Sequence, residues 1–140
     1  MMETWYKVFT PNIQACEQDC SPVTITSYNS TGFPVQRQSY IKKLQLFSDV
    51  ICGQEHFQLN NCKFRISNSF SSNFEFYFKP AVKSNHSLGI GRPKGGLFMA
   101  WKKAQINKAT QIFSDNFRIQ AALLEYENCR LHTFLVTLRI

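Results

Sequence analysis

The chain has 140 residues, 44% of them apolar and 14% aromatic, and carries a formal net charge of +7. That balance fits one globular domain with a β-leaning, Phe-rich core and excludes a chain disordered throughout. No stretch is long and apolar enough to span a membrane, and no basic-then-apolar leader opens the chain, so an intracellular protein without a disulfide framework is expected from the five scattered cysteines.

Residues 1–21 show no clear period and read as a poorly ordered lead-in, with the domain proper at 22–140. Cys16 and Cys20 have the spacing of half a zinc site, but no second close pair completes it. Residues 23–28 are β-branched, end in turn residues and predict a strand. Pro34 suits the first turn of a helix, and Tyr40, Ile41, Leu44 and Phe47 follow at helical spacing. Residues 50–53 form a short apolar run that predicts a buried strand, with Cys52 as a small core residue. Strand, helix and strand with brief connections make a βαβ-like unit.

Residues 58–67 are weakly helical. Phe74, Phe76 and Phe78 alternate with Glu75, Tyr77 and Lys79, a period of two that predicts a strand with one buried face. A loop at 80–94 leads to a strand at 95–101. Strands at 106–113 and 117–126 follow, and Glu127-Asn128 predicts a hairpin into 130–140. The chain stops inside an apolar alternation (Phe134, Val136, Leu138, Ile140) with no turn or polar tail, which predicts a truncated or rearranged end.

Two features carry chemistry. Asn29 follows the first predicted strand and Glu55 the second, so both reach one sheet edge. A hard cation such as Mg²⁺ takes oxygen ligands and keeps several waters while binding one or two carboxylates and a substrate phosphate. Glu55 could supply such an oxygen, and Asn29 could orient it or donate to phosphate. The same residues also read as a turn-stabilising Asn and a surface Glu. The second feature is charge: residues 79–108 hold seven Lys and Arg and no Asp or Glu. Such a run fits a polyanion or a solvated basic loop. Within it Arg92, Lys94, Lys102 and Lys103 are candidate phosphate or nucleic-acid contacts. Gly89 to Gly96 is not a Walker loop, because no Lys-Ser/Thr and helix follow its last glycine. His56 is the only imidazole near Glu55 and, being adjacent to it on a strand, would point the opposite way.

Three blocks in order resemble a known family. They are Thr24-Ile25-Thr26-Ser27-Tyr28-Asn29-Ser30-Thr31-Gly32-Phe33 followed by Arg37, then Asp49-Val50-Ile51-Cys52-Gly53-Gln54-Glu55-His56, then Gly91-Arg92-Pro93-Lys94-Gly95-Gly96-Leu97-Phe98-Met99-Ala100-Trp101. Together they resemble the endonuclease/exonuclease/phosphatase superfamily, closest to the endonuclease domains of non-LTR (LINE-type) retrotransposons, over roughly 23–131. The resemblance implies an α/β fold: the N-terminal half of a four-layer α/β sandwich of the deoxyribonuclease or apurinic-endonuclease type. It implies Mg²⁺-dependent phosphodiester hydrolysis with DNA as partner, Glu55 as the metal-ligating carboxylate and Asn29 as the amide beside metal and phosphate. Where DNA-repair members often carry Asp or Asn, this chain has Thr31.

The family's later Tyr-x-Pro, Gly-Asp-x-Asn and Ser-Asp-His blocks do not occur here, so the resemblance implies an incomplete catalytic set. With mainly the first sheet supplied, its face is expected to stand uncovered and to drive self-association. The alternative is a non-enzymatic nucleic-acid-binding module that uses the basic segment 79–108.

Overall fold

The computed structural model describes residues 4–9, 22–83, 92–127 and 129–139, and the backbone alone at 4–9, 134 and 136–139. The elements are β1 (Thr4–Phe9), β2 (Ile25–Asn29), α1 (Val35–Leu44), β3 (Val50–Gln54), α2 (Lys63–Ser67), β4 (Phe74–Lys79), β5 (Leu97–Lys102), β6 (Lys108–Ile112), β7 (Ile119–Tyr126) and β8 (Cys129–Arg139). A 3-10 turn, Asn60–Cys62, runs directly into α2. They build two four-stranded sheets, ordered β2-β3-β5-β4 and β1-β8-β7-β6.

In the first sheet, β2 and β3 are parallel and joined through α1, while β5 is antiparallel to both β3 and β4. The period-two pattern sorts its residues onto two faces. Ile51, Phe74, Phe98 and Ala100 pack beneath Phe33, Ile41 of α1 and Ile66 of α2. Val50, Cys52, Leu97, Met99 and Trp101 turn the other way and meet Ile106, Ala122, Leu124, Leu131 and Leu135 of the second sheet's side. The layers therefore run helices, first sheet, second sheet. Cys52 is fully buried, and burial pushes its thiol up to about 12, as a core residue rather than a nucleophile.

Gly53 is needed by this packing. It pairs with Phe98, and a Cβ at Gly53 would fall within the Phe98 ring. Both faces of β4 are used, not one. Phe74 is buried under the helices, while Tyr77 donates from its hydroxyl to the Ala109 carbonyl at 2.9 Å across the sandwich. Lys79 Nζ reaches the carbonyls of Ser114 at 2.7 Å and Ile119 at 2.6 Å, so it ties the sheets together.

Several expectations are corrected. The first sheet is not uncovered: the strands after Ile106 fold back over its inner face, because the turn after Lys102 reverses the chain. Self-association through that face loses its basis. The outer face of the second sheet, with exposed Thr110 and His132 and half-buried Leu123, has no helix over it among the described residues. The supposed lead-in contains β1, paired antiparallel with β8 from Thr4↔Arg139 to Phe9↔Phe134. Cys16 and Cys20 lie outside the described residues. α1 ends at Leu44, so Phe47 is not a core position but is 73% exposed. Cys129 is disulfide-bonded, and its partner is neither Cys52 nor Cys62, which are free thiols. No helix among the described residues is long and apolar enough to cross a membrane.

Candidate functional site

The parallel pairing of β2 with β3 sets Asn29 beside Gln54 at the C-terminal edge of the first sheet. Glu55 is the next residue, so the edge receives an amide and a carboxylate from neighbouring strands about 5 Å apart. Both are half-buried.

The backbone around them is bent on both sides. Thr31, Glu55 and Phe57 have φ of 43°, 54° and 55°, in the left-handed region that side chains with a Cβ disfavour. The neighbouring turns hold this shape. Ser30 donates from its N–H and its hydroxyl to the Gln54 carbonyl, each at 2.9 Å, and the Gly32 N–H donates to the Glu55 carbonyl at 2.7 Å. From the other side, the Phe57 N–H donates to the Gly95 carbonyl at 3.0 Å. Backbone held in a sparsely populated region by surrounding contacts is a common mark of functional sites.

Asn29 is oriented by Thr31. Its Oδ1 accepts from the Thr31 N–H at 3.0 Å and from the Thr31 hydroxyl at 3.1 Å. The amide oxygen is thus engaged in an Asx-type turn. Arg37 lies close by and donates to the Tyr28 hydroxyl at 3.3 Å.

His56 is fully buried behind the corner. Its ring stacks on Phe78 with centroids 4.9 Å apart. Nδ1 accepts from the Gln58 N–H at 2.8 Å, which leaves Nε2 as the donor to the Lys79 carbonyl at 3.0 Å. Burial pushes the imidazole down to about 4, against the opposing pull of its backbone hydrogen bonds. His56 is therefore neutral at neutral pH with both nitrogens committed, and its place is structural. Gly96, at φ 96°, makes room for it: a Cβ there would fall within the imidazole ring.

The four basic candidates do not share one surface. Arg92 and Lys94 lie at the corner's end of the sheet. The Arg92 guanidinium sits 4.3 Å over the Phe57 ring, and Lys94 bridges to Val82 through the backbone. Lys102 and Lys103 lie at the opposite end of β5, five residues or about 17 Å away. Gly89, Gly91 and His86 lie outside the described residues. The basic run 79–108 is thus split between two ends of the molecule.

The residue that pattern reading missed is Gln54. It ends an otherwise apolar strand, is fully buried, and donates from Nε2 to Ser27 Oγ at 2.8 Å, while its Oε1 has no hydrogen-bond partner. A buried Gln closing an apolar run was the available signal. Gln120 and Thr133, on the second sheet, also hold buried polar atoms without partners. Among the described residues, no three His, Cys, Asp or Glu side chains cluster as a metal-binding group. One carboxylate with solvent access still meets the minimum that Mg²⁺ uses alongside substrate phosphate. Glu55 fits that pattern as a ligand, with Asn29 on the neighbouring strand beside it.

No protein-family model matches the chain, and no curated protein matches it. Among solved structures it is similar to an AP endonuclease from Leishmania major, with a TM-score of 0.57 and 14% identity over 84% of this chain and 41% of that one. The fold is therefore an α/β sandwich like that of this AP endonuclease. The chain spans about two fifths of the length of that neighbour.

Proposed function

We propose that this chain is part of a LINE-type retrotransposon endonuclease domain, whose Asn29–Glu55 corner served Mg²⁺-dependent hydrolysis of nucleic-acid phosphodiester bonds. The observation that carries this reading is the Asn29↔Gln54 register together with the left-handed turn at Glu55. That geometry presents one carboxylate and one amide from neighbouring strands at an open sheet edge. The AP-endonuclease-like fold and the three sequence blocks around the corner support it. Bound Mg²⁺ would polarise the phosphate and lower the pKa of a water. In this chain Glu55 would hold the ion, Asn29 would meet the phosphate, Thr31 would set the Asn29 amide and Arg92 would add positive charge.

The reading includes loss of turnover in this chain. A general base must take the attacking water's proton, and His56, the imidazole next to Glu55 in sequence, has both nitrogens engaged and does not supply it. The test is Mn²⁺ as a paramagnetic probe in NMR. Selective broadening of the Asn29 and Glu55 amides, abolished by Glu55→Ala, is the expected result. Broadening that ignores Glu55→Ala would sink the metal corner. Mg²⁺-dependent plasmid nicking that Glu55→Ala abolishes would overturn the loss of turnover.

A further inference from the structure

The end of the first sheet opposite the corner holds a groove of about 840 Å³. Three lysines line it, Lys42 from α1 and Lys102 and Lys103 from the end of β5, with the amides of Gln45, Asn68 and Asn73 between them. Among the described residues no carboxylate lines it. Two acids lie near these lysines: Asp49 is 3.9 Å from Lys102 and Glu75 is 4.0 Å from Lys103. Both contacts are at the outer limit for an ion pair and leave the groove's field positive.

The groove is preformed. Gln45 staples the end of α1 to the turn before β4, donating to the Ser69 carbonyl at 2.6 Å and accepting from the Ser71 N–H at 3.0 Å. The Lys103 N–H donates to the Asn73 carbonyl at 2.9 Å and closes the opposite wall. Leu46 lines the groove and is 74% exposed, and the next residue, Phe47, is 73% exposed. A cationic trough with an exposed aromatic residue next in sequence to its lining is a combination suited to single strands: lysines track phosphates, and bases stack on the ring. A groove built for an acidic peptide has the charge but no need of an open aromatic platform.

We propose that this groove binds single-stranded nucleic acid, with Lys42, Lys102 and Lys103 on the phosphates and Phe47 as a stacking platform. This second contact surface does not rest on the Asn29–Glu55 corner, from which the length of β5 separates it.

The experiment is fluorescence anisotropy of a labelled oligothymidylate with the full chain, in EDTA, across a salt series. Phe47→Ala is expected to weaken binding roughly tenfold. Lys42→Gln with Lys103→Gln is expected to flatten the slope of log affinity against log salt by about 0.7 for each lysine. All of these side chains are exposed, so the variants keep the fold. A loss in only one of the two variants, or in neither, overturns the proposal. Equal displacement by poly-glutamate overturns it in favour of an acidic peptide. Binding lost only on Arg92→Gln with Lys94→Gln overturns the groove and leaves the corner's reading untouched.

Discussion

At one end of the first sheet, position is held by the backbone. Glu55 and Phe57 sit at positive φ, Ser30 and Gly32 grip the chain from one side and Gly95 from the other, and a neutral buried imidazole fills the space behind. At the other end, position is held by side chains. Gln45 bridges two turns through its amide, and the lysines around the groove are exposed or half-exposed on flexible stems. The difference teaches where each end is fragile. A strained corner fails when a buried neighbour changes by one carbon. A charged groove tolerates single changes in folding and shows them only in binding.

The sharpest way to break the contrast is Gly96→Ala. Its Cβ would collide with the His56 ring at a backbone angle that side chains disfavour, at a cost of about 3 kcal/mol in urea unfolding. Amide shifts should concentrate at 54–58 and leave the groove residues near Gln45 in place. Shifts spread evenly over both ends would deny that the corner is a separate mechanical unit.

Acid should act through the same ring. Burial lowers His56 from 6.5 to about 4, so the unfolded chain takes up a proton first as pH falls. This contribution is whole above pH 6.5, lost between 6.5 and 4, and flat below; the full loss is roughly 3 kcal/mol. Urea midpoints across that window check it. His56→Gln should remove that part of the slope, and an unchanged slope would refute the assignment.

Glu55 should separate function from stability. Glu55→Gly relieves a left-handed residue and should be about 1 kcal/mol more stable than Glu55→Ala, while both abolish Mn²⁺ broadening. Equal stabilities would mean that the turn stores no strain. The smallest effect belongs to the groove: Lys103→Gln should move the unfolding free energy by less than about 0.5 kcal/mol, because its contact with Glu75 is long and exposed.

Much of the first sheet was legible. The alternation in 74–79, the apolar run before Gly53 and the turn residues after Tyr28 mark β4, β3 and β2 within a residue or two of their observed bounds. So was the arrival of the strand ends that carry Asn29 and Glu55 at one sheet edge, because a parallel βαβ unit brings both there. Less was legible where the outcome depended on what lies opposite. Phe47 continues the helical spacing, yet the helix stops at Leu44 and the ring faces solvent. The strands after Ile106 read as more of the same sheet, but they form a second one that covers the first. β1 has no period to announce it and exists by pairing with β8, which is far away in sequence.

Periodicity and turn chemistry are local, so the sequence by itself determined most of the strands, the order of the corner's residues and the excess of positive charge. Tertiary structure decided which strands share a sheet, that His56 is buried and neutral, and that one basic run is divided between the two ends of β5. Those outcomes depend on contacts between residues far apart in the chain. Burial, which sets both pKa and exposure, comes into being only when the two sheets close on each other.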